Sequence, residues 1–207
     1  MTNDLIEYRK GVPEKFRRDA VDLYDEAFGL KFSLAIKNTK ERKKVLSAGF
    51  VLKNSIGAFQ NGELVGIAGY HGESEALTSG ITYTVLLNEL GFLKGNRAAL
   101  VFSAYERKVE KQELLMDGIA VRSDMRGLGV GSGLLREIIC LAEEYKYRYV
   151  RLDVIDTNQK TKKLYERHGF QTISTERFSY LKWLLQFGGV DRMQLKIQYK
   201  SESFSAA

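Results

Sequence analysis

The sequence has few of the residues that cross-link chains or bind metal ions. Its 207 residues include one cysteine, one proline and two histidines. A single cysteine excludes an intrachain disulfide, and His71 and His168 do not form a ligand-spaced cluster, so we expect no metal site. Cys140 stands beside Ile139 and Leu141, which predicts that it packs in the core rather than acting as a nucleophile.

Long apolar runs are also absent. The longest uncharged stretch, residues 76–88, is too short to cross a bilayer, so no membrane partner is expected. The first seven residues are acidic and lack the apolar segment of a secretory signal. Together with the scarcity of cysteine, these features predict a protein of the reducing cytoplasm.

Charge of one sign does not dominate any region. The formal net charge is +6, but basic and acidic residues are interleaved along most of the chain. The densest basic patch, residues 40–44, is predicted to be a solvated helix face, and nucleic acid is not expected as a partner. A mildly positive field would still attract phosphate groups.

Length and composition favour one domain over residues 1–207, because 44% hydrophobic residues can bury a sizeable core. Residues 73–111 form a long insertion, and residues 180–190 form a second apolar segment. Trp183, Leu184 and Phe187 in that segment are predicted to cover a sheet edge. The alternative is that they line a binding pocket or pair subunits.

Alternating and helical spacing of apolar residues predicts the order of elements: a strand, two helices, three strands, a helix, a strand, a helix and two strands. Asn61-Gly62 marks a hairpin turn. The helix after residue 133 is predicted to face the core with Leu134, Leu135, Ile138, Ile139, Ala142 and Tyr145. Predicted strands cover residues 5–9, 55–60, 63–71, 114–121, 149–155 and 192–199, with another from Phe170; predicted helices cover 14–28, 34–46 and 158–166.

The most informative segment is the glycine-rich run at residues 126–133, between a predicted strand and a predicted helix. Glycines allow sharp bends, and the first N–H groups of a helix attract anions, so this run predicts a phosphate-binding turn. It lacks the Gly-Lys-Ser/Thr ending of a P-loop. Its glycine spacing and late position also fit a nicotinamide-binding turn poorly.

The spacing that fits is Arg-x-x-Gly-x-Gly, formed by Arg126, Gly129 and Gly131. A second motif lies about thirty residues later and runs from Asn158 through Leu164-Tyr165 to Gly169-Phe170. Together the two motifs resemble the acyl-coenzyme-A-binding signature of the GNAT superfamily of N-acetyltransferases.

This resemblance covers most of the chain and implies an α/β (α+β) GNAT fold. That fold has a central mixed, mostly antiparallel, twisted sheet of about seven strands flanked by helices. The sheet is splayed between its fourth and fifth strands, and the pantetheine arm of acetyl-CoA lies in the gap.

The resemblance also implies the residues that bind acetyl-CoA. Backbone groups at the end of the fourth strand would pair with the pantetheine arm, N–H groups of the glycine turn would bind the pyrophosphate, and an asparagine after the fifth strand would make a second contact. The residues that match these positions are Ile119, Ala120, Val121, Arg126, Gly127, Leu128, Gly129, Val130, Gly131, Ser132 and Asn158.

Two catalytic residues follow from the same resemblance. Tyr165 matches the family's general acid, which protonates the departing thiolate, although it could instead pack or position groups. Asp117 matches a carboxylate that takes the amine proton, or one that only orients the substrate. Glu113 and Glu110 are weaker candidates for the base, and Tyr83 and Tyr105 are candidates for the acceptor side.

The implied enzyme transfers an acetyl group from acetyl-CoA to a primary amine of a small molecule in a ternary complex, because no nucleophilic cysteine is placed to form an acyl-enzyme. The amine would be an amino acid, a polyamine-like metabolite or a similar compound. The alternatives are a protein or peptide N-acetyltransferase and a non-catalytic acyl-CoA sensor. A homodimer is compatible with the resemblance, since many relatives dimerise.

Overall fold

The computed structural model describes residues 5–72, 75–103, 109–177 and 188–199, which contain seven strands and six helices. The predicted order of elements is confirmed, with two further helices inside the insertion. The elements are β1 Glu7–Lys10, α1 Arg17–Ser33, α2 Thr39–Gly49, β2 Ser55–Gln60, β3 Glu63–His71, α3 Tyr83–Leu90, α4 Phe92–Ser103, β4 Glu113–Val121, α5 Val130–Glu144, β5 Tyr149–Ile155, α6 Gln159–Arg167, β6 Gln171–Arg177 and β7 Gly189–Lys196.

The strands form one mixed sheet in the order β1-β2-β3-β4-β5-β7-β6. All neighbouring strands are antiparallel except β4 and β5, which are parallel. The predicted hairpin joins β2 to β3, and its turn residues Asn61 and Gly62 have φ angles of 52° and 80°. The parallel pair is joined by α5, the helix crossover that such a pair requires.

Helices cover both faces of the sheet. On one face α1 packs against Ile67 of β3 and Ala120 of β4, and on the other α5 packs against Gly66 and Ala68 of β3. The α5 contact is close, because a Cβ at Gly133 would lie 1.8 Å from the Tyr8 hydroxyl oxygen. None of the described helices is long and apolar enough to span a membrane.

The predicted insertion contains α3 and α4, which pack on the α1–α2 pair rather than on the sheet. A separate small apolar cluster joins α2, α3 and α4 to the segment between α1 and α2; it consists of Ala35, Ile36, Val45, Leu86 and Ala98. The insertion therefore extends the α1 face of the molecule. The second predicted apolar segment, including Trp183, Leu184 and Phe187, lies almost wholly outside the described residues.

The second helix begins later than predicted, at Thr39 instead of residue 34. Asn38 sets this start, because its Oδ1 accepts hydrogen bonds from the N–H groups of Lys40 at 2.9 Å and Glu41 at 3.1 Å. The prediction that residues 40–44 form a solvated helix face is also partly wrong. Arg42 is buried, and its Nη2 donates to Asp25 at 3.0 Å.

Two core predictions for α5 were also wrong. Cys140 is exposed, because it lies about 200° around the helix from the buried Ile138. Tyr145 is 59% exposed, since α5 ends at Glu144 and helical spacing no longer sets the direction of the next side chain. The rest of the predicted face is buried or half-buried against the sheet.

Candidate active site

The parallel strands β4 and β5 pair over only part of their length. Glu113, Leu114 and Leu115 pair with residues Tyr149–Arg151, and the remaining β4 residues up to Val121 have no pairing with β5. Beyond this point β5 continues to pair with β7 on its other side. The sheet therefore opens between the fourth and fifth strands, as expected.

A β-bulge in β4 lies where the two strands part. Gly69 of β3 pairs with Gly118 and Tyr70 pairs with Met116, so Asp117 is the extra residue. Gly118 has a φ of 151°, and a Cβ on it would lie 2.4 Å from Cζ of Phe28. Glycine is therefore required here, both for the backbone and for the packing of α1.

Beyond the bulge, the backbone groups of β4 alternate in direction. The Arg122 N–H donates to the Val65 carbonyl at 2.9 Å, so the backbone groups of Arg122 point toward β3. In an antiparallel pair this direction alternates from one residue to the next. Ala120, two residues earlier, then points its N–H and carbonyl toward β3. Ile119 and Val121 point theirs away from β3, into the gap beside β5.

The glycine run forms a turn that leads directly into α5. Gly127 and Gly129 have φ angles of 83° and 87°, and a Cβ on either would meet no atom within 4 Å. Gly129 is the N-cap residue, so no side chain covers the first N–H groups of the helix. Leu128 is 68% exposed, whereas Val130 is buried and anchors the turn.

The Arg126 side chain turns back toward α1 and the end of β4. Its Nε donates to the Val121 carbonyl at 3.0 Å, and its Nη2 pairs with Glu26. The guanidinium therefore holds the turn beside the gap, and half of the side chain stays exposed.

The start of α6 closes the same end of the gap. Asn158 caps this helix with Oδ1, which accepts from the Thr161 N–H at 3.3 Å. A Cβ at Gly131 would lie 3.8 Å from Cγ2 of Val121 and 3.9 Å from Cδ2 of Leu164. The glycine turn, the end of β4 and α6 thus meet within a few ångströms.

Tyr165 is buried in the main core, with its ring centroid 5.8 Å from that of Phe170. Desolvation by burial raises the pKa of its phenol above the ordinary value of 10.0. A phenol is protonated at neutral pH even at its ordinary pKa, and the raised pKa makes it a weaker proton donor. The ring packs in the core, and the catalytic role of Tyr165 stays a prediction.

Asp117 instead lines a cavity of about 450 Å³ on the α1 face of the sheet. Leu115 of β4 and His71 of β3 line the same cavity, while α4 of the insertion contributes Val101 and Phe102. Tyr165 is not among the described residues that line it. The two predicted catalytic residues therefore belong to different surroundings on either side of the open end of β4.

The weaker candidates lie elsewhere. Glu113 is buried and pairs with Arg151 at 2.8 Å, so it serves the closed end of β4. Glu110 precedes the strand, and Tyr83 is 52% exposed and donates to Asn96 at 2.9 Å. Tyr105 lies outside the described residues.

Several cavity residues were not predicted from the sequence. Tyr24, Phe28 and Phe32 recur every four residues along α1 and line one wall, yet this spacing also describes an ordinary core face. His71 joins them only because β3 pairs with β4. Within the described ranges, no group of three or more metal-ligating side chains is present.

The sheet is open between its parallel strands, and a glycine turn at a helix N-terminus lies beside the opening, which is the arrangement that the resemblance implied. A model of the acetyltransferase (GNAT) family matches residues 17–170. The chain therefore belongs to the GNAT family and is an acyltransferase.

Solved structures agree with this fold. An N-acetyltransferase from Staphylococcus aureus Mu50 is 16% identical over 94% of this chain and 99% of that one, with a TM-score of 0.59. A GNAT acetyltransferase from Streptococcus pneumoniae is 18% identical over 94% and 100%, with a TM-score of 0.56. The ribosomal-protein-S18-alanine N-acetyltransferase from Escherichia coli is 16% identical over 98% and 100%, with a TM-score of 0.52. No curated protein sequence matches the chain significantly.

Proposed function

We propose that this acyltransferase moves an acetyl group from acetyl-CoA to the primary amine of a small molecule, with both substrates bound at once. The observation that carries the proposal is the position of the bulge at Asp117. It separates the gap, into which Ile119 and Val121 direct backbone groups, from the cavity that Asp117 lines. A thioester in the gap would then be within reach of an amine in the cavity.

The residues around the gap fit the acyl donor. Ile119 and Val121 direct backbone groups into it, where the amides of a pantetheine arm would pair as an added strand does. The N–H groups from Gly127 to Ser132 lie at the uncapped start of α5 and suit a pyrophosphate. This turn contains Leu128, Gly129, Val130 and Gly131. Asn158 retains its Nδ2 as a donor while Oδ1 caps α6.

Acetyl-CoA supplies the activated acyl group as its thioester. The neutral amine nitrogen attacks the thioester carbonyl carbon, so a C–N bond forms and the C–S bond breaks. Asp117 takes a proton from the nitrogen, and Tyr165 gives a proton to the departing thiolate. Burial raises the pKa of the Tyr165 phenol, which holds the proton more tightly and does not by itself support the acid role.

A protein or peptide acceptor is the second candidate, and a related fold is that of a protein N-acetyltransferase. Val101 and Phe102 of the insertion line one side of the Asp117 cavity, which favours a small acceptor over an extended peptide. The third candidate is an acyl-CoA sensor without turnover. Both catalytic roles, the cytoplasmic location and the homodimer stay predictions.

Calorimetric titration with acetyl-CoA tests the donor site. We expect micromolar binding that is lost when Arg126 and Gly129 are both replaced, because the variant lacks the turn geometry and the contact to the Val121 carbonyl. No binding by the unaltered protein would contradict the whole proposal. Binding without thiol release across a panel of amines and peptides would favour the sensor.

Tyr165→Phe tests the acid. Loss of the proton donor is expected to lower kcat about 100-fold, while the Kd for acetyl-CoA changes less than about twofold, since the ring keeps its packing on Phe170. Tyr145→Phe is the matched control, because Tyr145 is 59% exposed. Equal rates in the two variants would show that Tyr165 is not the acid.

A further inference from the structure

The cavity beside Asp117 has a strongly aromatic wall. Tyr24, Phe28 and Phe32 line it from one face of α1, and Phe102 lines it from α4. The rings contact one another: the centroids of Tyr24 and Phe28 are 4.6 Å apart, and those of Phe32 and Phe102 are 5.7 Å apart in an edge-on arrangement. Apart from Tyr24, these rings are only half-buried, so they are exposed to whatever enters the cavity.

The carboxyl group of Asp117 lies at the β4 end of this aromatic wall. Gly69 leaves room for it, because a Cβ there would lie 3.4 Å from the Asp117 Cβ and 2.7 Å from Cδ2 of Leu77. Leu115 precedes Asp117 on the same side of the strand and extends the apolar lining. A ligand held here would place a polar end at Asp117 and an apolar body against the rings.

The position of this polar end decides the orientation of the ligand. Asp117 is the bulge residue, where β4 begins to separate from β5, so an amine beside it faces the gap. An ammonium arriving there is attracted by the carboxylate. A carboxylate on the same ligand would be repelled by Asp117.

On the basis of the proposed function, we infer that the acceptor is a primary amine that carries an aromatic or bulky apolar group and no carboxylate. Such a molecule matches both ends of a cavity of about 450 Å³. A polyamine lacks the apolar body that would fill the space between the rings, and an amino acid would place an anion beside Asp117. The insertion sets this selectivity, because α4 supplies Phe102.

The test measures free thiol release from acetyl-CoA with 2-phenylethylamine, putrescine and L-phenylalanine as acceptors. We expect kcat/KM for 2-phenylethylamine to exceed that of the other two by about tenfold or more. Putrescine or L-phenylalanine used equally well would overturn the inference and leave the proposed function intact.

Phe102→Ala is expected to raise the KM for 2-phenylethylamine about tenfold with little change in kcat. Phe92→Ala is the matched control, because Phe92 lies on the same helix and is 73% exposed. Phe102→Leu keeps apolar bulk against Phe32 and gives a smaller KM change if the alanine variant unfolds. Equal KM values for all three variants would contradict the aromatic wall as the acceptor site.

If no amine releases thiol, the proposed function fails, and direct binding then decides the inference. Saturation-transfer NMR with 2-phenylethylamine would show binding that Phe102→Ala weakens and Phe92→Ala does not. Absence of binding by the unaltered protein would overturn the inference.

Discussion

The closed and open ends of β4 each carry a carboxylate, and the two residues, Glu113 and Asp117, lie in different surroundings. Glu113 lies where β4 still pairs with β5, and Arg151 of that strand neutralises it. Gln194 of β7 donates a further hydrogen bond to it at 3.2 Å. Asp117 lies at the bulge, where no pairing with β5 remains, and lines the aromatic cavity.

This difference shows that strand pairing, rather than residue type, separates a structural acid from a candidate catalytic one. At the closed end the neighbouring strand brings a cation to within 2.8 Å of the Glu113 side chain. At the open end the neighbouring strand has moved away, so the space beside the strand is available to substrates. Loss of Glu113 should therefore affect stability, and loss of Asp117 should affect turnover.

The largest expected effect is on the free energy of unfolding, and it arises at the closed end of β4. Glu113→Gln leaves the buried Arg151 without its counter-charge and is expected to lower the free energy of unfolding by about 3–5 kcal/mol. Urea denaturation followed by circular dichroism measures this change. Glu176→Gln, which removes an exposed carboxylate 3.7 Å from Arg192, should cost less than about 1 kcal/mol. Similar losses in both variants would show that the buried ion pair contributes no more to stability than the exposed one.

Asp117→Asn is expected to lower kcat about 100-fold, because the amide cannot accept the amine proton. The free energy of unfolding should change by less than about 1 kcal/mol, since the new side chain keeps its size. Steady-state kinetics and urea denaturation together give both values. Asp22→Asn, at an exposed position of α1, should leave kcat unchanged and cost less than about 1 kcal/mol through its ion pair with Lys43. A large loss of stability in Asp117→Asn would show that Asp117, like Glu113, has a structural role.

Gly131→Ala tests the glycine turn, which lies on the far side of the gap from Asp117. An added Cβ would lie at ordinary contact distance from Val121 and Leu164, and alanine favours a helix over glycine by up to about 1 kcal/mol. The variant should therefore be as stable as the unaltered protein or slightly more stable. A pyrophosphate approaching this backbone would meet the methyl group, so the Kd for acetyl-CoA should rise about tenfold.

Calorimetry and thermal unfolding of Gly131→Ala measure the two properties separately. Gly133→Ala is the contrasting variant, because its Cβ would collide with the Tyr8 hydroxyl and destabilise the fold instead. An unchanged Kd in a stable Gly131→Ala protein would show that the coenzyme does not approach this residue.

The smallest effect is expected at Asp191 of β7, which accepts a hydrogen bond from Lys162 of α6 at 2.6 Å. Lys162, followed by Thr175, lowers the pKa of the Asp191 carboxyl below its ordinary value of 3.8. The native state therefore holds the ionised form, and this stabilisation is present above about pH 4 and is lost as the pH falls through the native pKa.

Asp191→Asn should lower the free energy of unfolding by about 1 kcal/mol at pH 7, and the difference should shrink toward pH 3. Urea denaturation at both pH values measures it. Glu89→Gln, at an exposed position of α3, should give almost no difference at either pH. A difference that grows toward pH 3 would contradict the role of the ionised carboxylate.

Much of this structure was predictable, because it rests on local patterns. Asn61-Gly62 marked the β2–β3 turn, the predicted ranges of β2, β3 and β5 match the observed ones, and Asn158 caps α6. Some errors were local, as at the start of α2 and at Cys140, and others arose where a distant residue decides the outcome. Arg42 is buried because Asp25 of α1 meets it, and no pattern within α2 records that pairing.

The sequence by itself determined the alternation of strands and helices and the place of the glycine turn, since these depend on residues only a few positions apart. Only the tertiary structure decided which carboxylate faces a cavity, which backbone groups of β4 face the gap, and which helix walls the cavity with Phe102. These properties depend on strand register, on a one-residue bulge and on the packing of an insertion. Each of them joins residues that are far apart in the chain, so a local pattern cannot specify them.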